Sequence, residues 1–163
     1  MSMQLNAELR EIAKLVTGLA PITPSTSTPD YVSLKNYRKC TIVILADNAT
    51  TVTGSAITVK QATSVGAGSE KPFAFTTAYR NIDTAAADAL ASFAVTSNTF
   101  TTDTTNAKNL MYVIEVDASA LDVEGGFDCV RAGTADAVAT VLSVLYILWP
   151  AGYGGAMPSA IVD

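Results

Sequence analysis

Apolar and polar residues alternate along most of the chain after Tyr31. In residues 55–63, "SAITVKQAT", Ile57 and Val59 face one way and Thr58 and Lys60 the other. That two-residue period belongs to a half-buried strand. Residues 40–46, "CTIVILA", form a β-branched run, which also favours strand. Further strands are predicted at 31–37, 73–80, 109–117 and 127–133, and a hairpin-like turn at Ser97 and Asn98 lies within 93–102. Two segments carry helical signals. One is the alanine-rich 81–93, open between a helical turn and a loop, where Asp83 or Thr84 offers a cap. The other is 117–126, "DASALDVEGG", which reads as one turn of helix ending on Gly125 and Gly126.

The period changes toward the N-terminus. Leu5, Leu9, Ile12, Ala13 and Val16 recur at three- and four-residue intervals between charged residues. This spacing predicts an amphipathic helix over 4–17, with Gly18 as its stop and Pro21 beyond. Residues 21–30 hold three prolines among Ser and Thr, the composition of an extended linker. So short a helix must dock its apolar stripe on something. Its own domain and a neighbouring molecule both remain open as the docking site.

The most apolar stretch is "VLSVLYILWPAGYGG", Val141 to Gly155, and the apolar run that enters it extends from Ala137 to Trp149. At about a dozen residues it falls short of the ~20 that a membrane-spanning helix needs. Thr140 and Ser143 interrupt it, and Val138, Val141, Val144 and Ile147 are β-branched. A strand is expected, not a membrane span. Apolar side chains at both parities imply that both faces are covered, either inside a sandwich or with one face against another subunit. After Pro150 the glycine-rich tail has no period. It lies on a neighbour or folds back on its own domain.

Turn-spaced strands with few long helices predict a mainly β fold: an antiparallel β-sandwich or jelly roll with a short N-terminal helix and extended arms. The expected divisions are a helix and Pro/Ser/Thr linker arm at 1–30, a β-sandwich domain at 31–150 and a C-terminal tail at 151–163.

Composition narrows the chemistry. Of 163 residues, 49% are hydrophobic and only 15% charged, so the surface leans on Thr, Ser and Asn. The formal net charge is −5, and the one basic cluster, Lys35 to Lys39, is short, so no nucleic-acid partner is expected. Histidine is absent, which removes the commonest general base and metal ligand. Neither a GxSxG elbow nor a phosphate-binding loop is present; residues 66–71, "GAGSEK", lack the spacing. The carboxylates Asp117, Asp122, Glu124 and Asp128 cluster in sequence without the spacing of a calcium loop. Cys40 and Cys129 lie far apart in apolar runs, with no CxxC pair; buried reduced thiols are expected, and a disulfide stays possible on sequence grounds. No catalytic, cofactor-binding or metal-ligating residue is expected. No basic start followed by a long apolar stretch marks the N-terminus, so folding in the cytoplasm where the chain is made is expected.

Four stretches carry a resemblance: "YVSLKNYRKCTIVI", "TGSAITVKQATSV", "NLMYVIEVDASALDVEGGFDCVRAG" and "WPAGYGGAMPSAI". Together they resemble small virion structural proteins of tailed bacteriophages, most of all capsid decoration (cement) proteins. The resemblance implies a non-enzymatic assembly protein on the capsid surface. Its partner would be the major capsid protein, and it would be a β-rich homo-oligomer, with a trimer favoured. A phage tail or neck component, or a carbohydrate-binding β-sandwich, is the alternative. No site residues transfer with the resemblance. From the residues themselves, the interface candidates are Leu5, Leu9, Ile12 and Val16 in the N-terminal segment, Tyr146 and Trp149 in the last strand, and Tyr153 and Met157 in the tail.

Overall fold

The strand periods close into two antiparallel layers. The computed structural model describes residues 7–23, 28–48, 52–134, 140–151 and 157–161. In chain order these form α1 (Leu9–Ile12), β1 (Lys14–Ile22), β2 (Val32–Ser33), β3 (Tyr37–Asp47), β4 (Ala56–Ala62), β5 (Lys71–Pro72), β6 (Thr77–Asn81), β7 (Ala91–Ala94), β8 (Thr99–Thr101), β9 (Asn109–Asp117), β10 (Cys129–Gly133) and β11 (Val141–Pro150). One sheet has the order β1-β11-β3-β9-β6-β7. The other has the order β2-β10-β4-β5, with β8 also on β4. The expected β-sandwich with a short N-terminal helix is therefore the observed fold. No helix among the described residues is long and apolar enough to cross a membrane.

The core lies between the sheets. Ile42, Ile44, Tyr112, Ile114, Leu142, Tyr146 and Leu148 project from the six-stranded sheet, and Ile57, Val59, Val130 and Ala132 from the other, all buried in one cluster. Polar groups that the period carries inward find partners, as burial requires. Gln61 accepts from the Asp122 amide at 2.8 Å and donates to the Pro72 carbonyl at 3.2 Å. Tyr146 donates to the Asp30 carbonyl at 2.9 Å and accepts from the Ala132 amide at 3.3 Å. One side chain thereby ties the centre of β11 to the opposite layer. At one open side of the sandwich, Phe93 and Phe100 meet edge to face, and both rings contact Tyr112.

The N-terminal reading is corrected. The helix covers only Leu9–Ile12, and residues 14–22 form β1, paired with β11 from Lys14↔Leu148 to Ile22↔Leu142. Helical spacing at 4–17 thus gives way to sheet pairing, because a helix this short gains less from its own turns than β1 gains by covering the β11 edge. Gly18 is not a helix stop. It sits at an irregularity of β1 with the Tyr146 ring against it, and a Cβ there would overlap that ring. Within 81–93, residues 82–90 take the loop alternative between β6 and β7, and Ala91, Ser92 and Phe93 belong to β7. Asn81 accepts from the Asp83 amide at 2.9 Å and Asp83 from the Ala86 amide at 3.3 Å, local bonds that compete with a helix. Segment 117–126 makes a single 3-10 turn at Ala118–Ala120, with Gly126 at φ +79°.

Candidate interaction surface

The outward side chains of the six-stranded sheet form a grid. Register between β11, β3 and β9 aligns five rows: Trp149–Lys39–Asp117, Ile147–Thr41–Glu115, Leu145–Val43–Val113, Ser143–Leu45–Met111 and Val141–Asp47–Asn109. The central row is wholly aliphatic, with Leu145 and Val43 half-buried and Val113, like Thr41 of the second row, already buried in the monomer. Leu15 of β1 extends the second row beyond Ile147, and Tyr79 of β6 extends the third beyond Val113. Leu45 is 48% exposed and Leu15 46%. An apolar sheet face of this extent is a mark of an interaction site. Lys39, Asp117 and Asp47 sit in the two end rows, and Glu115 in the second row. Lys39 pairs with Glu115 at 2.6 Å, and Thr41 donates to Glu115 at 2.9 Å while accepting from the Trp149 indole at 2.9 Å.

The other outward face is arranged differently. Lys60 of β4 and Arg131 of β10 are register partners, and both pair with Glu70, at 3.0 and 2.6 Å. Tyr31 donates to the same carboxylate at 2.8 Å, and the Arg131 guanidinium lies over the Tyr31 ring. Beneath them Tyr31, Ala62 and Cys129 make a second small buried cluster. Burial pulls the Glu70 pKa up, but hydrogen bonds from Lys60 and Tyr31 and the Arg131 charge outweigh it and hold the carboxylate below its ordinary range. Burial first, then the bond to Glu70, pushes the Tyr31 phenol well above its ordinary value. Nearby, Lys71 pairs with Asp122 and lies over the Phe127 ring.

A third feature is an open groove of about 620 Å³ along β1, lined by residues 14–17, Tyr31, Val65 and Ile161. The C-terminal segment bounds it. Lys14 and Tyr37 both donate to the Pro158 carbonyl at 2.6 Å, Ser33 donates its amide to the Ala160 carbonyl at 2.8 Å, and Ala160 is buried. Of the two open readings of the tail, residues 157–161 take the fold-back on their own domain.

The sequence-derived candidates scatter over these features. Tyr146 is wholly buried and unavailable to a partner, because its parity on β11 points into the core. Trp149 has the opposite parity, is half-buried and belongs to the outward grid. Leu9 is exposed, Ile12 is half-buried on α1, and Val16 packs against the core from β1. Met157 is half-buried in the folded-back segment. Leu5 and Tyr153 lie outside the described residues. The reading missed Val43, Leu45, Met111 and Leu15. Their signal was present as apolar residues at both parities in 40–46 and 109–117, which only strand register turns into one surface. Cys40 and Cys129 stand in different sheets, both buried and neither in a disulfide, and burial raises the Cys40 thiol pKa. Among the described residues no three His, Cys, Asp or Glu side chains group as a metal site.

No known family matches the chain, and no curated protein matches it in sequence. Among solved structures, the crystal structure of the SPBc2 prophage-derived protein YomS is similar, with a TM-score of 0.47 and 12% identity over 83% of this chain and 92% of that one. A likeness of that strength carries no argument about what this chain does.

Proposed function

We propose that the protein is a non-enzymatic structural component of a bacteriophage virion, a capsid decoration (cement) protein that binds the major capsid protein between capsomers and stiffens the shell. The observation that carries the assembly role is the apolar outward face of the six-stranded sheet, a surface suited to burial against protein. The sequence resemblance to phage virion proteins supplies the setting. Two features fit the role. The core is a stiff two-layer sandwich whose inner side chains interlock across both sheets. Repetition by symmetry would also let modest contacts act many times over one shell.

Copy number tests the reading. Particles carrying the protein should hold hundreds of copies, counted by quantitative gel or mass spectrometry, and shells lacking it should open at lower temperature. A handful of copies per particle would indicate a tail or neck component instead, and absence from purified particles would end the virion reading. The N-terminal segment has its own test. Removing residues 1–30 would strip β1 from the sheet, so the informative deletion is 1–12, which leaves β1 intact. Weaker particle binding by that variant supports contact through Leu9 and Ile12, and unchanged binding takes the segment out of the mechanism.

A further inference from the structure

We infer that the outward face of the six-stranded sheet is the contact between two copies of this chain, stacked with their β3 strands antiparallel about a two-fold axis that crosses the strands at the Leu145–Val43–Val113 row. The inference stands on the face alone and holds whether or not the chain decorates a capsid.

The charge pattern selects this geometry. Two identical faces stacked by a two-fold rotation have that axis in the plane between them. An axis parallel to the strands would set Lys39 against Lys39 and Asp47 against Asp47 of the second copy. It would also lay Ile147 and Trp149 of β11 over Glu115 and Asp117 of β9. An axis across the strands at Val43 instead reverses each column on itself. Lys39, which also pairs with Glu115 of its own chain, then lies over Asp47 of the second copy. Asp117 faces Asn109, Glu115 faces Met111, Thr41 faces Leu45, Trp149 faces Val141, Ile147 faces Ser143, and the central aliphatic row faces its own image. Like charges meet in the first arrangement and opposite charges in the second. The twist of packed sheets offsets facing strands by about 30°, a displacement at the ends that a side chain as long as lysine can span.

The area is sufficient. Strands about 4.8 Å apart and outward side chains about 6.8 Å apart give a footprint of roughly 14 by 34 Å for the three strands and five rows of the grid. That is about 500 Å² per copy and about 1,000 Å² in all, at the lower limit of specific interfaces. The loop between β6 and β7 borders the face on one side, where Asn81 donates to the Ala87 carbonyl at 2.7 Å. The contact is therefore centred on β11, β3 and β9, and a dissociation constant in the micromolar range is expected.

A two-fold pair differs from the trimer that the family resemblance implies, and mass in solution separates them. Sedimentation equilibrium or light scattering from 1 to 300 μM should show the mass rising from 16.9 kDa toward twice that value. Leu45→Lys should weaken pairing at least tenfold while circular dichroism and melting stay those of a folded sandwich. Asp47→Lys should weaken pairing, because it sets a second cation against Lys39 of the other copy. Val43→Cys should cross-link to itself with a short bis-maleimide, since facing backbones lie about 10 Å apart and Cys40 and Cys129 are buried. A monomer at every concentration, a trimer, or a dimer that Leu45→Lys or Asp47→Lys leaves intact each overturns the proposal. If Leu45→Lys does not fold, the Val43→Cys cross-link decides: self-linkage supports the pair and its absence overturns it.

Discussion

The outward face of the six-stranded sheet carries Leu145, Val43 and Val113 in one row, whereas that of the five-stranded sheet carries Lys60 beside Arg131, both turned onto Glu70. Both are strand surfaces that point away from the same core. The five-stranded face completes itself within one chain. Its charges are paired, its phenol is bonded, and the arginine roofs the small Tyr31–Ala62–Cys129 cluster. The six-stranded face closes one end the same way, through Lys39, Glu115, Thr41 and Trp149, and Val113 is buried. Leu15 and Leu45 stay exposed, with no such roof among the described residues. Apolar area left in water is worth about 25 cal/mol per Å² once covered. Where a sheet's polar groups are satisfied locally the surface is inert, and where its outward side chains are aliphatic the surface is unfinished.

Substitutions can break or sharpen that contrast. The largest effect should come from the core that both faces share. Tyr146→Ala removes a buried ring and leaves the Asp30 carbonyl and Ala132 amide without their partner, so a loss of about 3–5 kcal/mol in urea unfolding is expected. If the loss is under about 1 kcal/mol, the two sheets are not joined through this residue. Glu70→Gln should cost about 1–2 kcal/mol, because Lys60, Arg131 and Tyr31 lose a charged acceptor, and should leave the oligomeric state unchanged. Any effect of this variant on pairing would contradict the separation of the two faces.

The pH dependence follows from the same carboxylate. The folded pKa of Glu70 lies below its ordinary value of about 4.5, so folding favours the deprotonated form. Its contribution is complete above that ordinary value and disappears as pH falls through the lower folded one. Urea midpoints should therefore drop below about pH 4.5 more steeply for the wild type than for Glu70→Gln. Parallel pH curves would show that Glu70 is not coupled to folding. The smallest effect is expected on the apolar face. Leu45→Ser should change the stability of the isolated monomer by no more than about 0.5 kcal/mol, although it lies one residue from the fully buried Ile44. A loss of 2 kcal/mol or more in dilute solution would mean that Leu45 belongs to the monomer's core and that the face is not open.

Legibility differed between regions for physical reasons. Strands β3, β4, β9, β10 and β11 were readable because a two-residue period and β-branched side chains act locally. The N-terminal segment was not. Its leucines and valine fit a helical stripe, yet β1 forms because pairing with β11 covers an exposed strand edge, a long-range gain invisible in a local window. Gly18 misled for the same reason, since the residue that excludes its side chain, Tyr146, is remote in sequence. Within β11 the sequence showed apolar residues at both parities but not which parity faced inward. Tyr146 was thus taken with Trp149 as a surface candidate, although the two project to opposite sides of the sheet.

Local chemistry alone determined the fold class, the position of most strands and the weakly charged surface, because alternation, branching and composition are properties of neighbouring residues. Tertiary structure decided which residues form a surface together. Lys39 and Asp47 are eight positions apart on one strand, but only the antiparallel register of β11, β3 and β9 sets them at opposite ends of a shared aliphatic face. That arrangement depends on pairing between segments scores of residues apart, and no local pattern encodes it.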